Sequence, residues 1–202
     1  MVEQTEIPEQ PHEHLHPHGG GFRRFAAIYV GVVAMLLAIS SLGGGKATKE
    51  MLASSIRVSD TYNFAQAKYL RETAYELAAD QLEAQLAEQP TMPDEAKSSI
   101  SKSIEKYRKN AARYASDPSS GEGRKELLAK AKEWEAVRDR AEAQDPNFQF
   151  AAAFFQIAIV LASVAIAASS LPLLGLSAAS AALATVLTIN GFFLIVPLPS
   201  FG

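Results

Sequence analysis

Residues 146–202 read PNFQFAAAFFQIAIVLASVAIAASSLPLLGLSAASAALATVLTINGFFLIVPLPSFG, and none of them is Asp, Glu, Lys or Arg. An ordinary water-exposed surface is not built from more than fifty consecutive uncharged residues. A helix that crosses the hydrocarbon core of a bilayer needs about 20 mostly apolar residues. The stretch holds two such runs, residues 150–171 and 174–196, divided only within LPLLG, residues 171–175. Asp145-Pro146 in front of them reads as an N-cap with proline at the first helical position, so the helix carrying the second span is expected to begin there, over 146–171.

Working back toward the N-terminus, residues 25–42 form a third apolar run, preceded by Arg23 and Arg24 and followed by Gly43, Gly44 and Gly45. The run exceeds the 7–15 apolar residues of a signal peptide and a long leader precedes it, which favours a retained span over a cleaved one. The three glycines are expected to interrupt the helix, since each costs about 1 kcal/mol relative to alanine in a helix interior. Residues 1–24 hold Pro, His, Glu and glycine with few large apolar groups, too little to fold alone, and read as a mobile tail.

The chain has 202 residues, 19 Lys plus Arg against 22 Asp plus Glu, and no cysteine. Disulfide scaffolds, thiolate metal sites and cysteine nucleophiles are thereby excluded. The region 46–145 carries the charge, 17 bases and 18 acids, and so near-neutral a segment gives no case for binding nucleic acid. No glycine-rich loop follows a strand, no nucleophile elbow occurs, and the acids are too scattered to nominate a catalytic pair; an enzyme is not expected.

Helical periodicity fills the charged region. Ile56, Asn63, Leu70, Leu77 and Ala84 recur at steps of seven with Ala67 and Ala74 between them, a narrow heptad seam expected to face a partner helix. Asn63 is the kind of polar residue that fixes register in such a seam. Lys68, Arg71 and Glu72 fall outside it. Pro90 and Pro93 end this helix, which would span roughly 65 Å if unbroken. A second follows with Ile100, Ile104, Tyr107, Ala111 and Tyr114, and after SDPSSGEG a third with Leu127, Ala131, Trp134, Val137 and Ala141. No useful period-two alternation is present. The expected fold is all-α: three transmembrane helices, with an extramembrane helical hairpin or three-helix coiled bundle between the first and second spans.

Four histidines alternate in the tail, His12, His14, His16 and His18, a set able to hold a borderline metal transiently but with no scaffold or second shell to fix it. Within the spans no ionisable residue occurs, which argues against a proton or ion pathway. Small residues do line up there: Ala158, Ala162 and Ala165 on one span, and Ser177, Ala181, Ala184, Thr188 and Gly191 on the next, faces suited to close helix packing. Gln156 and Asn190 are amides able to hydrogen-bond across helices. No cofactor is expected.

The segments AAIYVGVVAMLLAISSLGGGKATKEML and ASSIRVSDTYNFAQAKYLRETAYELAADQL, with the leader EIPEQPHEHLHPH and the C-terminal apolar hairpin, resemble an uncharacterised family of small bacterial membrane proteins known only as a domain of unknown function. Ser59, Asp60, Gln66, Ala67 and Lys68 match its most specific motif. Tyr62, Phe64 and Ala65 stand where the family shows a tryptophan and an aromatic pair, so no aromatic-dependent role carries over. The resemblance implies residence in a bacterial inner membrane and supplies no activity.

The expected function is that of a non-enzymatic scaffold in that membrane, self-associating or holding a membrane-protein partner. An oligomeric channel or transport accessory subunit is the alternative, and metal or pH sensing by the histidine tail a third. Arg23 and Arg24 favour a cytoplasmic N-terminus and a periplasmic helical domain, although a connection of about 100 residues translocates largely regardless of its charge.

Overall fold

The computed structural model describes residues 20–197 and arranges them as four helices, α1 (Gly20–Glu88), α2 (Asp94–Ala115), α3 (Arg124–Ala168) and α4 (Leu171–Phe193). No strand occurs among the described residues. Three of the helices, α1, α3 and α4, are long and apolar enough to cross a membrane.

Two expected helix breaks are absent. Gly43, Gly44 and Gly45 lie inside α1, which runs unbroken for 69 residues. Extending a formed helix avoids the nucleation cost, so a local penalty of about 3 kcal/mol from three glycines is offset by the packed turns on either side. Thr48 strengthens the turn by donating from Oγ1 to the Gly44 carbonyl at 3.0 Å. Asp145-Pro146 likewise starts no helix; Pro146 lies within α3. Proline there deprives the Glu142 carbonyl of its amide partner, a defect that costs about 3 kcal/mol in an isolated helix. Polar side chains hold the backbone through it: Asn147 Nδ2 donates to the Ala143 carbonyl at 3.0 Å, and the single proton of Thr48 Oγ1 is shared between the Gly44 carbonyl and Asp145 Oδ1, the latter at 2.9 Å.

The break between the last two apolar helices also differs from expectation. LPLLG belongs to α4, with Pro172 in its first turn, and the chain turns instead at Ser169-Ser170. Ser169 takes φ 50°, its amide donates to the Ile166 carbonyl at 3.4 Å, and the Ser170 amide donates to the Ala165 carbonyl at 3.0 Å. This paired pattern is the Schellman termination, with serine in the left-handed position that glycine usually fills.

Contacts divide the chain into two units, residues 20–42 with 148–190 and residues 43–147 with 191–197, and the boundaries fall inside α1, α3 and α4. The first unit is apolar. Val33, Ala151, Phe155, Ala158, Ala181 and Ala184 make one core, and Ala26, Ala162, Ala165 and Leu174 a second. So many alanines let backbones approach closely, and the hydroxyls then reach across to main-chain carbonyls. Ser177 Oγ donates to the Ala158 carbonyl at 2.6 Å and therefore accepts from the Tyr29 hydroxyl at 2.9 Å. Ser180 Oγ donates to the Phe154 carbonyl at 2.9 Å, and fully buried Ser40 to that of Phe148 at 3.5 Å.

In the second unit α2 and α3 pack through the faces their sequences indicate. Ile100, Ile104, Tyr107, Ala111 and Tyr114 are buried or half-buried, as are Leu127, Ala131, Trp134, Val137 and Ala141. The α2–α3 turn is clasped by Glu126, whose carboxylate accepts from Ser116 Oγ at 2.6 Å and from the Asp117 amide at 3.0 Å. Those hydrogen bonds, led by the one from Ser116, hold the Glu126 carboxyl below its usual range. Asp117 is lowered in the same way by Ser119 and Ser120. Gly123 is required here, because a Cβ would run into the Asp117 amide and the Glu126 carboxylate.

Candidate functional site: the two faces of the first helix

Along α1 from Ala47 the buried and half-buried positions include Ala47, Met51, Ser54, Val58, Thr61 and Ala65, then residues 68, 72, 75, 79, 82 and 86, at alternating steps of four and three, with half-buried Thr48, Ser55 and Ala78 beside them. That is a complete heptad. It differs from the expected seam by half a turn. Asn63, Ala67 and Ala74 are exposed, Ile56 is 63% exposed, Leu70 61% and Leu77 57%. Within the chain, then, the helix packs between residues 54 and 72 mainly through small and polar residues, with Met51, Val58, Tyr75, Leu82 and Leu86 as the larger members of the packed face, and turns Leu52, Ile56, Leu70 and Leu77 outward.

Lys68 and Glu72 are on the packed face, where the heptad reading had put them outside a seam. Glu72 is buried and takes a two-pronged hydrogen bond from Arg124, Nε to Oε2 at 2.8 Å and Nη2 to Oε1 at 3.2 Å. The Glu72 carboxylate in turn raises the Arg124 pKa. Planar pairs of this kind are among the stronger charged hydrogen bonds and fix geometry as well as adding energy. Lys68 Nζ is 3.4 Å from Glu122 and lies 4.8 Å from the Phe64 ring centroid and 5.7 Å from that of Tyr114. Tyr75 packs at 5.7 Å from both Tyr107 and Tyr114. The aromatics and bases of residues 63–71, Phe64, Lys68, Tyr69 and Arg71, therefore serve the joint between α1, α2 and α3 on one side of the helix, while Asn63, Ala67 and Leu70 are presented on the other.

Further ties follow the same packed flank. Arg57 sits 4.4 Å above the Trp134 ring, a cation–π contact. The Tyr62 hydroxyl donates to Glu135 at 3.0 Å, which raises the tyrosine pKa. Arg108 joins α2 to α1 through Asp80 at 2.6 Å and Glu83 at 3.1 Å. A sequence signal for this face exists: Ala47, Ser54, Val58, Ala65, Glu72 and Ala79 repeat with the heptad period, but as small and polar residues they carry little hydrophobic contrast.

The small residues marked in the apolar helices lie on inner faces. Ala158, Ala162, Ala165, Ser177 and Ala184 are fully buried, Ala181, Thr188 and Gly191 nearly so. Asn190 is also buried, whereas Gln156 is exposed. His12, His14, His16 and His18 lie outside the described residues. Among the described residues no group of three or more His, Asp or Glu side chains is placed to hold a metal ion.

The outer stripe of α1 is thus the feature that the chain's own packing leaves unexplained. Between residues 43 and 147 every exposed large hydrophobic residue belongs to α1: Leu52, Ile56, Tyr62, Phe64, Tyr69, Leu70 and Leu77. No curated protein and no solved structure matches the chain. One family model does, over residues 22–194, spanning all four helices, and the chain accordingly belongs to the family described as a domain of unknown function, DUF4337.

Proposed function

We propose that the protein is a non-enzymatic scaffold of a bacterial inner membrane that assembles with further copies of itself through the outer stripe of α1. The apolar parts of α1, α3 and α4 are its membrane spans, residues 46–145 form a three-helix coiled bundle in water, and the N-terminus is cytoplasmic. The reading is carried by Leu52, Ile56, Leu70 and Leu77, aliphatic side chains more than half exposed on one narrow stripe of a water-facing helix. α2 and α3 expose no large hydrophobic residue between 94 and 147, so the concentration on α1 is not a general property of the domain. Exposed aliphatic side chains repeated along one stripe, with Asn63 and alanines between them, mark an interaction surface.

A second copy suits the stripe because its period is the coiled-coil one, with alanines at 67 and 74 between the larger residues and Asn63 able to pair with its equivalent. Sedimentation equilibrium of the full chain in detergent tests it. The wild type is expected to associate and Leu70→Asp to be monomeric; a wild type that is monomeric at all concentrations, in detergent and in native membranes alike, overturns the proposal.

A further inference from the structure

The membrane part carries a face that is reversed in the opposite sense. In α3, Ala151, Phe155, Ala158, Ala162 and Ala165 point into the packed interior. On the other side Gln149, Ala153, Gln156, Val160, Ser163 and Ala167 succeed one another at alternating steps of four and three, and all six are exposed. The Ser163 hydroxyl is satisfied by its own helix, donating to the Ile159 carbonyl at 2.8 Å. The Gln156 carboxamide has no hydrogen-bond partner among the described residues. Elsewhere in this unit the large exposed side chains are what lipid selects, among them Val164, Leu176, Leu183, Val186 and Ile189.

This inference rests on the reading that α3 crosses a bilayer. Hydrocarbon offers no donor or acceptor, so a carboxamide facing it loses the hydrogen bonds that water would supply. We propose that this face of α3 docks inside the membrane on the same face of a second copy, with the two Gln156 carboxamides hydrogen-bonded to each other across a two-fold axis. The side chain itself argues for that occupant. A carboxamide carries donors and acceptors together, so an identical group opposite satisfies both reciprocally, as an isologous contact requires. No charge lies on the stripe to repel its equivalent, and Ala153, Ser163 and Ala167 are small enough for two backbones to approach around the amides. The residues involved are distinct from those of the α1 stripe, so the two contacts stand or fall separately.

The chain has no cysteine, so one introduced thiol is unique. Full-length Ala153→Cys, Val160→Cys and Leu183→Cys proteins would be oxidised in native membranes with copper phenanthroline and resolved on non-reducing gels. The doubled chain is expected from Ala153→Cys and Val160→Cys and not from Leu183→Cys, which is exposed on α4. Adding Gln156→Leu to the Val160→Cys chain should lower the disulfide yield about threefold for each hydrogen bond lost. Leucine suits lipid better than glutamine, so that loss would not be one of folding; unchanged circular dichroism checks it. Equal yields at all three positions, a yield insensitive to Gln156→Leu, or a product containing a different protein would overturn the proposal. Crosslinking at Val160 in a chain whose association ignores Leu70→Asp would sink the α1 seam alone, and the reverse pattern would sink the Gln156 contact alone.

Discussion

Replacing Leu70 by aspartate separates the two faces of α1 by what each substitution should cost. Leu70 is 61% exposed within the chain, so in a monomer the change touches little and should move stability by no more than about 0.5 kcal/mol. Full burial of a leucine is worth about 1.5–3 kcal/mol, and the exposed share available to a partner is therefore worth about 1–2 kcal/mol per copy. A symmetric contact loses that twice, about 2–4 kcal/mol, which weakens association roughly 30- to 1000-fold. Ala65→Asp on the opposite face is the control. Ala65 is 3% exposed, and a carboxylate forced there without a partner should cost several kcal/mol of folding stability. The assay is a pair of measurements on full-length protein in detergent, sedimentation equilibrium for association and a circular-dichroism melt for folding. Leu70→Asp should lose association while its melting temperature stays within about 2 °C of the wild type, and Ala65→Asp should melt early. If Leu70→Asp associates as the wild type does, the stripe is not an interface and the reasoning from exposure fails.

Three other outcomes follow from the packing. Gly123→Ala should destabilise the α2–α3 joint by about 1–3 kcal/mol in urea melts of the full chain, because the new Cβ collides with backbone at Asp117 and with the Glu126 carboxylate. Acid should weaken the same joint: the Asp117 and Glu126 carboxyls are held below their ordinary values of 3.8 and 4.5, so their stabilisation is complete above those values and is lost as pH falls through the depressed ones. Melts recorded from pH 6 to pH 2 should show that decline, and Glu126→Gln should flatten it. Ser177→Ala removes the hydroxyl that bridges Tyr29 and the Ala158 carbonyl, and should cost about 1 kcal/mol; since the two changes act on one bond, adding Tyr29→Phe should cost less than the sum of the single substitutions, as a double-mutant cycle in detergent would read.

How much of this was legible beforehand depends on the kind of residue on each packed face. α2 and α3 announce theirs because Ile100, Tyr107, Leu127 and Trp134 are large as well as periodic. Between residues 54 and 72 α1 does the reverse, packing through Ser54, Thr61, Ala65, Lys68 and Glu72 with Val58 as the one larger aliphatic, so a reading that weights size selects the outer stripe there. Only the positions of Arg124 and the tyrosines on the other helices explain why Glu72 and Lys68 are inside, and nothing local to α1 encodes them. The missing breaks at Gly43–Gly45 and Pro146 have a common cause: residue propensities are small beside the packing of a long helix, and hydroxyl or amide side chains repair the local defect. The turn at Ser169 carries no sequence signal of its own, because a left-handed helix terminus is signalled by glycine, and the nearest glycine, Gly175, lies six residues on, inside α4.

On the proposed reading that α3 and α4 cross a bilayer, that same turn constrains how they could enter it. Two residues join α3 to α4, and they are serines whose amides are already bonded to the helix before them. No long polar loop would have to be carried across ahead of α4, and residues 146–202 hold no Asp, Glu, Lys or Arg. On that reading the apolar part of α3 and the whole of α4 would enter together as one preformed hairpin, with their mutual hydroxyl–carbonyl bonds already in place.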